Sequence, residues 1–137
     1  RSANRHEAFR WLRTAEADLH AARILSAADS FALACFHAQQ AGEKALKALW
    51  HLEDADPWGH SVRKLLTEFP RITDLEACEP LKADASLLDQ YYIPTRYPNG
   101  LPDLTPGEVY TEADAARAMA ASERILRSCR NLLDQES

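Results

Sequence analysis

The residues best suited to chemistry lie in two short stretches. The first is Tyr91-Tyr92-Ile93-Pro94-Thr95-Arg96-Tyr97-Pro98-Asn99-Gly100, where three tyrosines and one arginine crowd a turn stiffened by two prolines. An arginine there offers a planar fork for two phosphate oxygens, and the tyrosines offer faces on which a base or ribose can lie. The structural alternative is that Arg96 ties the loop to a buried carboxylate or a helix end and that Tyr97 plugs the core. The second stretch is His37-Ala38-Gln39-Gln40-Ala41-Gly42-Glu43-Lys44-Ala45-Leu46-Lys47. Gln40, Glu43, Lys44 and Lys47 recur at three- and four-residue steps, so on a helix they form one polar stripe. That stripe is either a solvated face with a Glu43–Lys47 pair or a face that meets an anion or a partner.

Other chemistries find no support in the spacing. A di-iron bundle needs a Glu-x-x-His pair on each of two helices, and no such pair is present. Glu16 and His20 could share a face but stand alone, and His6-Glu7 lacks the second histidine of a zinc protease. There is no Gly-x-Ser-x-Gly elbow. Cys35 and His37, two apart on a helix, face different ways. The four glycines form no phosphate-binding loop. The cysteines Cys35, Cys78 and Cys129 are far apart and make no Cys-x-x-Cys pair, which suits small buried residues in a reducing, cytoplasmic setting.

The elements that must carry these residues are helices. Among 137 residues are 24 Ala and 18 Leu against 2 Val and 4 Ile, poor material for a sheet. The length suits one domain over 1–137. A first helix is expected over about Asn4–Ala28, with Phe9, Leu12, Ala15, Leu19, Ala22 and Leu25 on one stripe. A second, over about Phe31–Leu52, has an alanine-rich stripe that lets a neighbour approach closely. A short third helix spans Ser61–Phe69 and stops at Pro70. A fourth begins near Pro80 and ends at Ile93-Pro94. Residues 94–107 hold four prolines and two glycines, a rigid loop with no helix or central strand. The last helix opens at Thr111, with Thr111-x-x-Asp114 as a capping box. The expected fold is an all-α, up-and-down bundle of about five helices. No apolar run is long enough to span a membrane. The net charge of −5, from 16 Lys+Arg against 21 Asp+Glu, argues against binding duplex DNA by overall field.

Read together, three segments resemble the HEPN domain family. They are Trp11-Leu12-Arg13-Thr14-Ala15-Glu16-Ala17-Asp18-Leu19, the run from Phe36 to Ala48, and His60 with a short helix followed by Thr95-Arg96-Tyr97-Pro98-Asn99 and a final helix. The likeness covers roughly residues 5 to 133. It extends to HEPN proteins encoded beside a minimal nucleotidyltransferase and to the HEPN domain that ends the chaperone-like protein sacsin. The resemblance implies a helical bundle, a homodimer and, in some members, a toxin–antitoxin-like partnership. It also implies, for some members, metal-independent RNA cleavage by an Arg, four to six residues and a His near the last helix. Here no histidine follows Arg96, the last being His60. Arg1–His6 and Arg13–His20 fit the spacing but lie at the wrong end of the chain.

What the resemblance then implies is a non-catalytic module that dimerises and binds a nucleotide, such as ATP or GTP, or another phosphorylated ligand. The residues expected to bind it are Arg96, Tyr97, Asn99, Tyr92, Lys44 and Lys47, with no metal and no cofactor. The alternatives are a pure interaction module, acting on a minimal nucleotidyltransferase or within a larger chain, and an RNase with a displaced site.

Overall fold

The computed structural model describes residues 2–101 and 103–136, and every regular element among them is helical. In chain order they are α1 (Ser2–Ala27), α2 (Phe31–Leu52), α3 (Val62–Thr67), α4 (Cys78–Asp89), α5 (Pro106–Val109) and α6 (Glu112–Gln135). Two single 3₁₀ turns, Ile72–Asp74 and Pro98–Gly100, lie between them. None of the helices is long and apolar enough to cross a membrane.

Helix α2 sits at the centre because its sides are small. Ala34, Ala38, Ala41, Ala45 and Ala48 are all fully buried, and side chains of that size let backbones come close. Helix α1 packs along one flank, α6 along another, and α3 and α4 close a third. The α1 and α6 helices run antiparallel, since Arg130 meets Glu16 at one end while Arg23 meets Glu123 at 3.2 Å at the other. The larger core side chains, among them Leu12, Leu46, Leu49, Leu66, Leu88, Ile125 and Leu133, fill the spaces between. Cys35 and Cys129 belong to this core, and Cys78 is half-buried. Burial pushes the Cys35 thiol up to about 12, so it stays protonated at neutral pH.

The far end of the bundle is held by one arginine. Arg71 donates to Glu53 at 3.0 Å, to Asp74 at 2.7 Å and to Glu136 at 2.6 Å, tying the ends of α2 and α6 to the α3–α4 connection. Hydrogen bonds to these carboxylates raise the arginine's already high pKa further.

Three boundaries differ from those expected. Helix α4 starts at Cys78, so Pro80 is its third residue; the first N–H groups of a helix lack an intrahelical partner, and proline is tolerated there. The same helix ends at Asp89 rather than Ile93, because the Gln90 and Tyr91 N–H groups close back on the Leu87 and Leu88 carbonyls. The proline-rich segment is not free of helix. Pro106 opens the one-turn α5, where the Glu108 carboxylate accepts from the Thr105 N–H at 3.0 Å and from its hydroxyl at 2.9 Å. These two bonds also hold the Glu108 pKa down. The box at Thr111 and Asp114 forms as expected and starts α6.

Gly42 marks the closest approach to α2. A Cβ built there would stand 2.6 Å from Leu88 Cδ1 and 3.6 Å from Val62 Cγ1, both on fully buried side chains. Gly42→Val is therefore expected to lower stability by about 2 kcal/mol or more through overpacking. Gly107→Ala, whose Cβ would meet nothing within 4 Å, should stay within about 0.5 kcal/mol of wild type. Urea denaturation midpoints of the two variants decide the matter, and equal midpoints would show that α3 and α4 do not close on Gly42.

Candidate functional site

The α3–α4 side of the bundle assembles a site from parts far apart in sequence. Asp89, the last residue of α4, reaches the start of α3. Its carboxylate accepts from the Ser61 hydroxyl at 2.8 Å and from the N–H groups of Val62 at 2.6 Å and Arg63 at 3.2 Å. A carboxylate is favourable at this end of a helix because unpaired N–H groups and the backbone dipole both point at it. The clasp fixes His60, one residue before Ser61, beside the segment that follows Asp89. His60 and Tyr92 accordingly stack, with ring centroids 4.7 Å apart at 18°.

The Tyr91–Asn99 segment is folded on itself. Thr95 is buried and its hydroxyl donates to the Tyr91 carbonyl. The N–H groups of Arg96 and Tyr97 both donate to the Ile93 carbonyl, at 3.1 and 3.2 Å. Tyr91 is the tyrosine that enters the core, edge-on to Tyr110. Burial raises its phenol pKa, and the neighbouring Cys35 thiol adds to the shift. Tyr97, by contrast, is 48% exposed and does not plug the core.

Arg96 stands at the centre of the site. Its guanidinium carbon lies 4.4 Å from the Phe36 ring centroid, 4.7 Å from that of Tyr92 and 5.1 Å from that of Tyr97. Such contacts hold a cation by the negative faces of the rings. Its Nε donates to the Tyr92 carbonyl at 2.9 Å, so the arginine does tie the loop near a helix end. The two terminal amino groups donate to no acceptor among the described residues.

The polar groups of α2 divide between two carboxylates, the part-buried Asp18 and the buried Glu43. On the α1 side, Asp18 accepts from Lys44 Nζ at 2.7 Å and from His37 Nδ1 at 3.2 Å. On the α3 side, Glu43 accepts from Lys47 Nζ at 3.0 Å, from Gln39 Nε2 at 3.0 Å and from His60 Nδ1 at 3.3 Å. The Glu43–Lys47 pair forms as the spacing expected, but it is not on a solvated face: the side chains are 4% and 12% exposed. His37 meets Phe36 edge-on and His60 stacks on Tyr92, so each cluster touches a ring that also holds Arg96.

Of the residues singled out in the sequence, the structure brings Arg96, Tyr92 and Tyr97 together. Asn99 is exposed on the same turn. Lys44 and Lys47 are each held by a carboxylate. Sequence reasoning missed Phe36, Asp18 and Asp89 as parts of the arrangement. Asp89 carried no local signal, because the helix it caps lies 28 residues upstream of it. A separate open groove of about 530 Å³ runs between α1 and α2, lined by Glu7, Arg10, Trp11, Arg13, Thr14 and Lys44, and does not include Arg96.

The result is a helical bundle with one stacked arginine and no cluster of three His, Cys, Asp or Glu able to hold a metal among the described residues. Residues 8–132 match the HEPN domain, and the chain belongs to that family. It is similar to TT1696 from Thermus thermophilus, with 38% identity over 91% of this chain and 97% of that one and a TM-score of 0.86. It is also similar to ST0689, an archaeal HEPN homologue (35% identity, 93% and 98% covered, TM-score 0.76). A HEPN domain protein from Thermotoga maritima is 32% identical, with 91% and 98% covered and a TM-score of 0.71. No curated protein matches the chain.

The two lysines differ in what their loss would expose. Lys47→Ala leaves Glu43 buried with a charge opposed by no cation, which is expected to cost about 3 kcal/mol. Lys44→Ala leaves Asp18, 15% exposed, closer to water, and should cost less, about 1–2 kcal/mol. Thermal melting of both variants measures the order. A Lys47→Ala protein as stable as wild type would mean that the lysine is free for a ligand.

Proposed function

We propose that this HEPN module binds a nucleotide or another phosphorylated ligand at the Arg96 loop, as a homodimer and without cleaving it. The observation that carries the reading is the state of Arg96. Three aromatic rings and the Tyr92 carbonyl fix its plane, while its terminal amino groups are uncommitted among the described residues. A fork held in place before binding loses little freedom when it engages two oxygens of a phosphate. Tyr97 and Tyr92 lie against the fork, and Asn99 is exposed on the turn that follows. Lys44 and Lys47 enter as paired groups whose charge Asp18 and Glu43 offset, so they contribute little direct attraction. The absence of any histidine after Arg96 supports a binding role over the family's Arg–His cleavage chemistry.

Exposed apolar side chains favour a second reading, in which the same side of the molecule docks a protein. Ile93, Tyr97 and Leu104 belong to the proline-rich segment, Leu33 lies one turn before Phe36 on α2, and Trp58 is 82% exposed. A second copy of the chain is the simplest occupant; a nucleotidyltransferase or another part of a longer chain is the alternative. This pure interaction reading takes over if no nucleotide binds.

Calorimetric titration of ATP, GTP and pyrophosphate into wild type and Arg96→Lys tests the binding. Lysine keeps the charge and loses the fork, so affinity is expected to fall roughly tenfold, the value of one charge-assisted contact. Unchanged affinity, or no binding at millimolar ligand, would overturn the proposal. Light scattering at tens of micromolar protein is expected to give twice the mass of one chain; a monomer mass would remove the homodimer from it.

A further inference from the structure

We infer that His60 is a second ligand-reading residue of the Arg96 site, accepting a hydrogen bond from a ribose hydroxyl, so that the site prefers ribonucleotides to their deoxy counterparts. The inference rests on the nucleotide reading proposed above and deepens it.

The argument begins with Glu43. Its carboxylate is 4% exposed and can only accept hydrogen bonds. The 3.3 Å contact from His60 Nδ1 therefore requires the proton to sit on Nδ1. In the neutral ring that choice leaves Nε2 as a bare acceptor. Lys47 at 3.0 Å already balances the Glu43 charge, so the carboxylate is satisfied without a second cation. Gln39 Nε2 completes the arrangement by donating both to Glu43 and, at 3.3 Å, to the His60 carbonyl. Ring and backbone of His60 are thus both tied to α2. Gly59, at φ +76°, lets the loop turn into that position. A carboxylate that fixes the tautomer and orientation of an imidazole leaves its far nitrogen aimed at whatever comes next.

What comes next is solvent. The His60 side chain is 57% exposed, and Nε2 has no partner among the described residues. The ring and the Arg96 guanidinium carbon each stand 4.7 Å from the Tyr92 centroid. One ring, that of Tyr92, therefore has both a phosphate fork and a hydroxyl acceptor against it. A deoxyribose has no second hydroxyl to offer, and a phosphate alone offers Nε2 only another acceptor. A nucleotide with intact ribose supplies both kinds of group at once.

Calorimetry with ATP, 2′-deoxy-ATP, 3′-deoxy-ATP and pyrophosphate tests this on wild type and His60→Phe. Phenylalanine keeps a ring on Tyr92 and removes the acceptor; because His60 is largely exposed, the fold should be retained, and a melting curve checks it. Wild type is expected to bind ATP roughly fivefold tighter than at least one deoxy analogue, the value of one neutral hydrogen bond. His60→Phe should bind ATP no better than that analogue and should bind pyrophosphate as wild type does. If wild type binds all three nucleotides equally and Arg96→Lys still weakens them, the His60 inference fails and the phosphate reading stands. If His60→Phe weakens pyrophosphate as much as ATP, His60 merely supports the loop, and the inference again fails. If no nucleotide binds, both readings fall together.

Discussion

Five fully buried alanines on α2 let helices close on three sides of it, and this closeness constrains Gln39, Glu43 and Lys47 on that helix. A charged or amide group so enclosed must find its partner inside the protein, because burying it unpaired costs several times what a hydrogen bond returns. Glu43 therefore gathers Lys47, Gln39 and His60, and Asp18 of α1 gathers Lys44 and His37. The two clusters are a consequence of packing before they are anything else. They also fix, as a by-product, the position of two imidazoles beside the rings that hold Arg96.

The Asp89 clasp converts that enclosed helix into a site. By capping α3 with the end of α4 it brings the α2–α3 loop and the Tyr91–Asn99 segment to one place. It sets Tyr92 against the His60 ring that Glu43 and Gln39 hold. The cap also engages the N-terminal N–H groups of α3, so the anion-attracting end of that short helix is occupied by the protein itself. Arg96, by contrast, keeps its terminal donors open among the described residues.

Much of the fold was legible in the residues. The apolar stripes of α1, α2 and α6 have a helical period over more than twenty residues each, long enough for the pattern to dominate local noise. The Phe31 and Leu52 ends of α2 followed from Asp29-Ser30 before it and the acidic, proline-containing loop after it. The turn at Arg96 was legible from its prolines. One short element was not: α5 depends on a proline at its first position and on a capping glutamate, a signal that looks like loop when read by composition alone.

The sequence by itself determined the helical class, the small-sided central helix and the presence of an arginine among tyrosines in a stiff turn, because each is a matter of local spacing. Only the tertiary structure decided what those residues touch. The i,i+4 spacing of Glu43 and Lys47 holds equally for a solvated face and a buried one, and burial came from α3 and its loop. Tyr91 and Tyr97 are alike in composition, yet one is in the core and the other in solvent, because the chain turns between them. Phe36 meets Arg96, and His60 meets Glu43, across distances in sequence that no periodicity encodes; the meeting is set by how closely alanine lets helices approach and by one aspartate capping a helix it does not belong to.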